Sequence, residues 1–225
     1  MTPAAVYWLR SNRLYLHVTP RLAAAKPGGA PPLTLLRARG PGLRVPGLTV
    51  DVPRDAAREP SAEELARAVE DAYARDDRKV KLAGLGMGES DEGVVFAGTG
   101  EPLLRADVVC EAARLVKEAR HGVPLCVNTL GLGVPGAPED VARALAEAGV
   151  DTVSQFFPSA DPAAFSRDTN GFALGAACAF ASACVEAGLA LRGVTVARGG
   201  VSTYAVRALA TSLGASDFEV KRWLP

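Results

Sequence analysis

From Gly93 onward, short β-branched or aromatic runs alternate with helical apolar stripes, and this rhythm restricts the fold more than any other feature of the chain. Strands are expected at Val94–Ala97, Pro124–Thr129, Thr152–Gln155, Leu189–Ala197 and near Asp217–Trp223. Helices are expected at Leu104–Arg120, Pro138–Ala148, near Pro162–Asp168, at Phe172–Ala187 and at Thr203–Leu213. The stripe Leu104, Val108, Ala112, Leu115, Ala119 shows the three- and four-residue spacing of an amphipathic helix. Gly122, Gly149, Gly188 and Gly214 follow the helices, where a left-handed terminal residue is favoured. Arg13–Thr19, with Leu14, Leu16 and Val18 alternating, adds an earlier strand and brings the expected number to six. Strands and helices in this alternation imply a parallel sheet with right-handed crossovers.

The 225 residues suit one domain, residues 1–225, with a sizeable core. Two irregular inserts interrupt it, at about 21–60 and 76–92. The first is rich in Pro, Gly, Ala and Arg and reads as a surface loop, or as a cover over one end of a barrel with Leu33–Leu36 and Leu48–Val52 extended. Pro60-Ser61-Ala62-Glu63-Glu64 is a helix start, with Ser61 as cap and Glu64 three residues on. Gly84-Leu85-Gly86-Met87-Gly88 in the second insert lacks dinucleotide-loop spacing and reads as a flexible loop.

Zero net charge gives no reason to expect nucleic acid or an anionic membrane as partner. Cys110, Cys126, Cys178 and Cys184 fall inside expected helices and strands with no paired ligand spacing, so reduced, buried thiols are expected. The uncharged run Phe172–Val185 closes at Glu186, short of the roughly 20 residues of a membrane span. The first residues show no basic-then-apolar leader, so the expectation is a soluble, cytoplasmic protein. His17 and His121 are the only histidines. His17 reads as a structural or surface residue, since nothing nearby in sequence partners it. There is no nucleophile elbow, histidine-based metal motif or P-loop.

The polar residues at expected strand ends are the candidate site. Gly98-Thr99-Gly100 turns the chain after Val94–Ala97, places a carboxylate at Glu101 and stops extending at Pro102. Glycine lets a ligand approach backbone N–H groups closely, and Glu101 can pair with a ligand ammonium. Asn128, Thr129, Ser154 and Gln155 can hydrogen-bond a carboxylate or ribose hydroxyls, and Arg198 can meet an anion. Thr19, Arg21, Lys221 and Arg222 complete the ring. One carboxylate among several cations suits a small zwitterionic or carboxylate ligand in a barrel mouth.

Val94–Leu104 resembles the Gly-Gly-Glu-Pro segment of radical S-adenosylmethionine (radical SAM) enzymes, with Thr99 in place of the first glycine. Leu125–Gly131 resembles the next strand of that family, with Leu130 where its Thr-Asn-Gly has Asn. Within the superfamily, the TatD-associated subfamily is most similar, through Asn12–Thr19, Gly98–Leu104, Val127–Gly131 and Val150–Phe157 with Asp161–Phe165. The resemblance implies a partial (β/α)6, TIM-like barrel of parallel strands, a bound S-adenosylmethionine held in part by Thr99, Gly100 and Glu101, and a [4Fe–4S] cluster that cleaves it reductively. After Thr19-Pro20-Arg21, however, Leu22, Lys26 and Gly29 stand where the family's Cys-x-x-x-Cys-x-x-Cys would fall, and no such motif occurs elsewhere. Thiolates hold such clusters. Two readings follow: a clusterless pseudoenzyme that binds S-adenosylmethionine or a nucleotide, or an active radical enzyme whose cysteine segment is missing from this version of the sequence. A barrel enzyme with non-radical chemistry would need an acid–base pair, which Glu101 alone does not make.

Overall fold

The structure is a computed structural model that describes residues 7–10, 13–25, 32, 59–74, 93–98 and 100–222, the first four through their backbone. Its strands are β1 (Tyr7–Arg10), β2 (Arg13–His17), β3 (Val94–Ala97), β4 (Leu125–Thr129), β5 (Thr152–Phe156), β6 (Ala190–Ala197) and β7 (Asp217–Arg222). The helices are α1 (Ala62–Ala74), α2 (Ala106–Ala119), α3 (Pro138–Glu147), α4 (Pro162–Asp168), α5 (Leu174–Glu186) and α6 (Thr203–Ser212), with a 3-10 turn at Pro102–Arg105 before α2. The expected pieces at Leu33–Leu36, Leu48–Val52 and 76–92, and residue Trp223, lie outside the described residues.

The sheet runs β1-β2-β3-β4-β5-β6-β7 in unbroken sequence order. β2 to β7 are parallel, and the sheet is not closed: a six-strand partial barrel, as expected. β1, which sequence reading did not anticipate, pairs antiparallel with β2, Leu9 opposite Leu14. Only Ser11 and Asn12 separate the two strands, a hairpin too short for the crossover that a parallel pair requires.

A strand order that never reverses, joined by right-handed crossovers, puts all the helices on one face. Register separates the two faces. On the helix-covered face, Leu14, Val94 and Leu125 lie side by side, then Leu16, Phe96 and Val127, with Val153 and Leu191 beyond. All eight are buried and share one core with Leu65 and Val69 of α1, Val109 of α2, Leu145 of α3 and Phe180 of α5. The opposite, inner face carries Tyr15, His17, Val95, Ala97, Cys126, Asn128, Ser154, Arg192 and Glu219. Val95, Ala97 and Val194 are buried there but stand apart from the main core.

Local chemistry sets the helix ends. The Ser61 hydroxyl accepts from Glu64 N at 3.2 Å while Ser61 N donates to the Glu64 carboxylate at 2.9 Å, a reciprocal capping box. Asp161 caps α4 through Ala164 N and Ser202 caps α6 through Ala205 N. Gly149, Gly188 and Gly214 leave their helices at φ +87°, +84° and +91°. Gly122 does not share that role, because α2 stops at Ala119 and Arg120 N closes it onto Val116 O. Among the described residues no helix is long and apolar enough to cross a membrane.

Gly193 on β6 marks how closely α6 approaches the sheet. A Cβ there would lie 2.7 Å from Ala210 Cβ and 2.8 Å from the Phe218 ring. Gly193→Val is expected to cost about 1–3 kcal/mol through overpacking, read as a lower urea midpoint with an unchanged slope; an unchanged midpoint would refute this packing.

Candidate functional site

The Gly98–Glu101 turn leaves β3 and buries its carboxylate beneath the end of β4. Glu101 is 2% exposed. Its Oε1 accepts from the Thr129 hydroxyl at 2.6 Å and from Leu103 N at 3.1 Å, and its Oε2 accepts from Leu130 N at 2.8 Å. The Thr129 hydroxyl in turn accepts from Gly131 N at 2.8 Å. Burial drives the Glu101 carboxyl up to about 7, against the downward pull of the hydrogen bonds from Thr129, Leu130 and Leu103. A carboxylate has about four acceptor positions, so three of them serve the fold.

Gly100 is fixed by a close backbone crossing. Its N–H donates to Thr19 O at 3.1 Å, and Glu101 N donates to Arg21 O at 2.7 Å. A Cβ at Gly100 would lie 2.1 Å from Arg21 O, so the glycine admits the loop after β2 against the end of β3. Thr99 lies outside the described residues.

Strand parity divides the other candidates. Thr129 and Gln155 are register partners on the helix-covered face. Gln155 is fully buried, its Nε2 donating to Ala177 O of α5 at 2.8 Å and to Leu130 O at 3.2 Å, while its Oε1 has no partner. Asn128 and Ser154 are also register partners, but on the inner face, where both are half-buried. The Cys126 thiol on the same face donates to Asn128 Oδ1 at 3.8 Å.

Arg198, just past β6, is paired with Asp168 at the end of α4 and reaches Pro158 O at 3.4 Å; its buried Nε has no partner. Arg21 and the Thr19 hydroxyl both meet Glu59, ahead of α1. Arg105 lies 3.6 Å from the same carboxylate and donates to Val18 O and Pro60 O at 3.0 and 2.7 Å. Burial raises Glu59, but hydrogen bonds from Thr19 and Arg21 and the charges of Arg21 and Arg105 hold it below the usual range. On β7, Lys221 is paired with Glu219. Asp107, in the first turn of α2, is exposed.

Sequence reading passed over two residues at this end of the sheet. His17, at the end of β2 on the inner face, is 4% exposed, and its Nε2 has no partner among the described residues. Burial lowers its pKa, more than the nearby Glu59 raises it. Arg192, opposite Ser154, pairs with Asp217 at 2.8 Å. Strand alternation could have put both on the inner face; their partners could not have been read that way.

The cysteines are separated by the fold: Cys110 on α2, Cys126 on β4, Cys178 and Cys184 on α5. Burial pushes Cys126 up to about 11 and Cys184 up to about 12, and raises Cys110 and Cys178 as well. The described residues hold no group of three or more His, Cys, Asp or Glu suited to a metal ion. An iron–sulfur cluster requires converging thiolates, so these residues do not fit one.

No family model and no curated protein matches the sequence. Solved structures do match the fold. Streptococcus suis SuiB superposes with a TM-score of 0.56 at 15% identity over 77% of this chain and 36% of its own. The structure of SuiB bound to S-adenosylmethionine gives 0.55 at 14% over 73% and 34%. Methylornithine synthase, PylB, gives 0.54 at 13% over 75% and 45%. These structures share the chain's fold, a partial barrel of parallel strands. The chain spans between a third and a half of their length.

Glu101 should impose a pH dependence on stability. Its folded value, about 7, lies above the ordinary 4.5. The native state then holds the proton more tightly, so this contribution is fully present below pH ~4.5 and lost as pH rises through ~7. Between pH 5 and 8 the wild type is expected to lose about 2.5 kcal/mol more than Glu101→Gln, measured by urea unfolding; equal losses would refute the assignment.

Proposed function

We propose that the chain is a clusterless radical SAM-fold protein, one barrel domain that binds S-adenosylmethionine or a related nucleotide at the C-terminal ends of its strands and acts as a binding module rather than as a radical enzyme. The observation that carries this reading is the pairing of a radical SAM fold having Gly100 and Glu101 at the end of β3 with four cysteines held apart on α2, β4 and α5. SuiB, a structure of similar fold, is bound to S-adenosylmethionine, which makes that molecule the first ligand to test. Its resemblance to the motifs of TatD-associated radical SAM proteins supports an origin near that group.

The chain's own residues supply a frame for such a ligand. Gly100 and Glu101 are clamped by the loop after β2, and Thr129 holds the Glu101 carboxylate. Asn128 and Ser154 stand side by side on the open inner face, where amide and hydroxyl groups can bond ribose or base atoms. S-adenosylmethionine is a sulfonium whose chemistry in radical enzymes needs an electron from a reduced cluster, and no cysteine set here fits one.

A second reading rests on the loop after β2. Thr19-Pro20-Arg21 opens it as in the resembling family, and an active radical enzyme would follow if a version of the chain carried cysteines beyond that point. Anaerobic reconstitution with iron and sulfide, followed by iron analysis and calorimetric titration of S-adenosylmethionine, separates the two. Substoichiometric iron with saturable binding, weakened about 5- to 10-fold in Asn128→Ala or Ser154→Ala, is the expected result. A stoichiometric cluster, or no binding at all, would overturn the proposal.

A further inference from the structure

We propose that the site selects the neutral, hydroxyl-bearing nucleoside part of its ligand rather than a charged amino-acid part; this rests on the nucleotide-binding reading above. The charged groups described at the strand ends are already engaged within the chain. The Glu101 carboxylate is buried and takes three internal donors. Arg198 is paired with Asp168, both under a quarter exposed. Arg21 and Arg105 share Glu59, Lys221 has Glu219, and Arg192 has Asp217. A ligand ammonium or carboxylate would have to take a charge from its partner and leave the other member unpaired, at a large cost where the pair is buried.

Among the described residues, the side chains on the inner face without a charged partner to displace are neutral. Asn128 and Ser154 face the inner side of β4 and β5, and among the described residues the Asn128 side chain takes only the long thiol contact from Cys126. His17 lies on the same face, two strands away, with Nε2 buried and without a partner. Buried polar atoms are almost always bonded, so an orphan on this face marks a place for a partner. Burial keeps His17 neutral at pH 7, able to donate or accept one hydrogen bond. An amide, a hydroxyl and a neutral imidazole match hydroxyls and ring nitrogens, which vary in donor and acceptor character but carry no charge. A site that bonds neutral groups discriminates strongly against analogues lacking them.

The test uses the full chain and five probes: S-adenosylmethionine, S-adenosylhomocysteine, 5′-methylthioadenosine, adenosine and methionine. Calorimetry is expected to give dissociation constants within about 10-fold of each other for the four nucleosides and no measurable binding for methionine. His17→Phe should weaken all four by about 5- to 10-fold, the loss of one neutral hydrogen bond. Because there are only two histidines and His121 is exposed, imidazole resonances of the wild type, assigned with His121→Gln, give a readout that does not depend on the variant folding. Adenosine should shift the His17 resonances and leave those of His121 in place. S-adenosylmethionine binding with adenosine more than about 100-fold weaker would overturn this selectivity while the binding reading stands. Unmoved His17 resonances under saturating adenosine would also overturn it. Absence of binding by every probe would overturn both.

Discussion

The carboxylate of Glu101 is the point at which the barrel end is tied together. Its own N–H and that of Gly100 reach the loop after β2, while its oxygens take the Thr129 hydroxyl and Leu130 N from the end of β4. Leu130 O then accepts from Gln155 of β5, whose amide also reaches Ala177 O in α5. One continuous run of hydrogen bonds therefore joins the ends of β2, β3, β4 and β5 to a helix. Nearly every member is buried, so loss of one leaves the next unsatisfied rather than solvated. Burial also explains why so well-bonded a carboxyl titrates near neutrality.

The sheet supplies the other constraint. Because its strands follow one another in order, one face receives the helices and most of the apolar core, and the other carries Asn128, Ser154 and Arg192 beside apolar Val95, Ala97 and Val194. The period of two then decides which residues can do chemistry and which hold the frame. Thr129 and Gln155 are one residue from Asn128 and Ser154, yet they point under the helices and serve the barrel end. The polar ring is thus two sets, one bonding the protein to itself and one presenting neutral groups on the inner face.

The described ends of the segment after β2 are tied to the sheet by the chain's own side chains. Where the resembling family continues into its cysteine loop, this chain gathers Thr19, Arg21 and Arg105 around Glu59 and crosses its backbone over Gly100. Arg105 adds bonds to Val18 O and Pro60 O, linking β2 to the start of α1. These contacts close the ends of the first insert. The cysteines serve packing instead, on elements whose geometry keeps their thiols apart and protonated.

The element order, all six parallel strands, the Ser61–Glu64 box and the importance of Gly100 and Glu101 were legible in the sequence, because periodicity, caps and turn glycines are local signals. β1 was not, since a short hairpin arm carries no repeating stripe of its own. Glu101 and Arg198 read as groups able to meet a charged ligand, and His17 as a structural or surface residue. Only the tertiary structure showed that each of those charges already has a partner in the chain, and that His17 lacks one. The reason is physical: a strand's pattern dictates which side a residue faces, but its partner, often 20 to 40 residues distant, is chosen by how the strands stack. The sequence determined the barrel and the strand ends that carry the candidate residues; the packing of that end decided which of those groups are engaged by the rest of the fold.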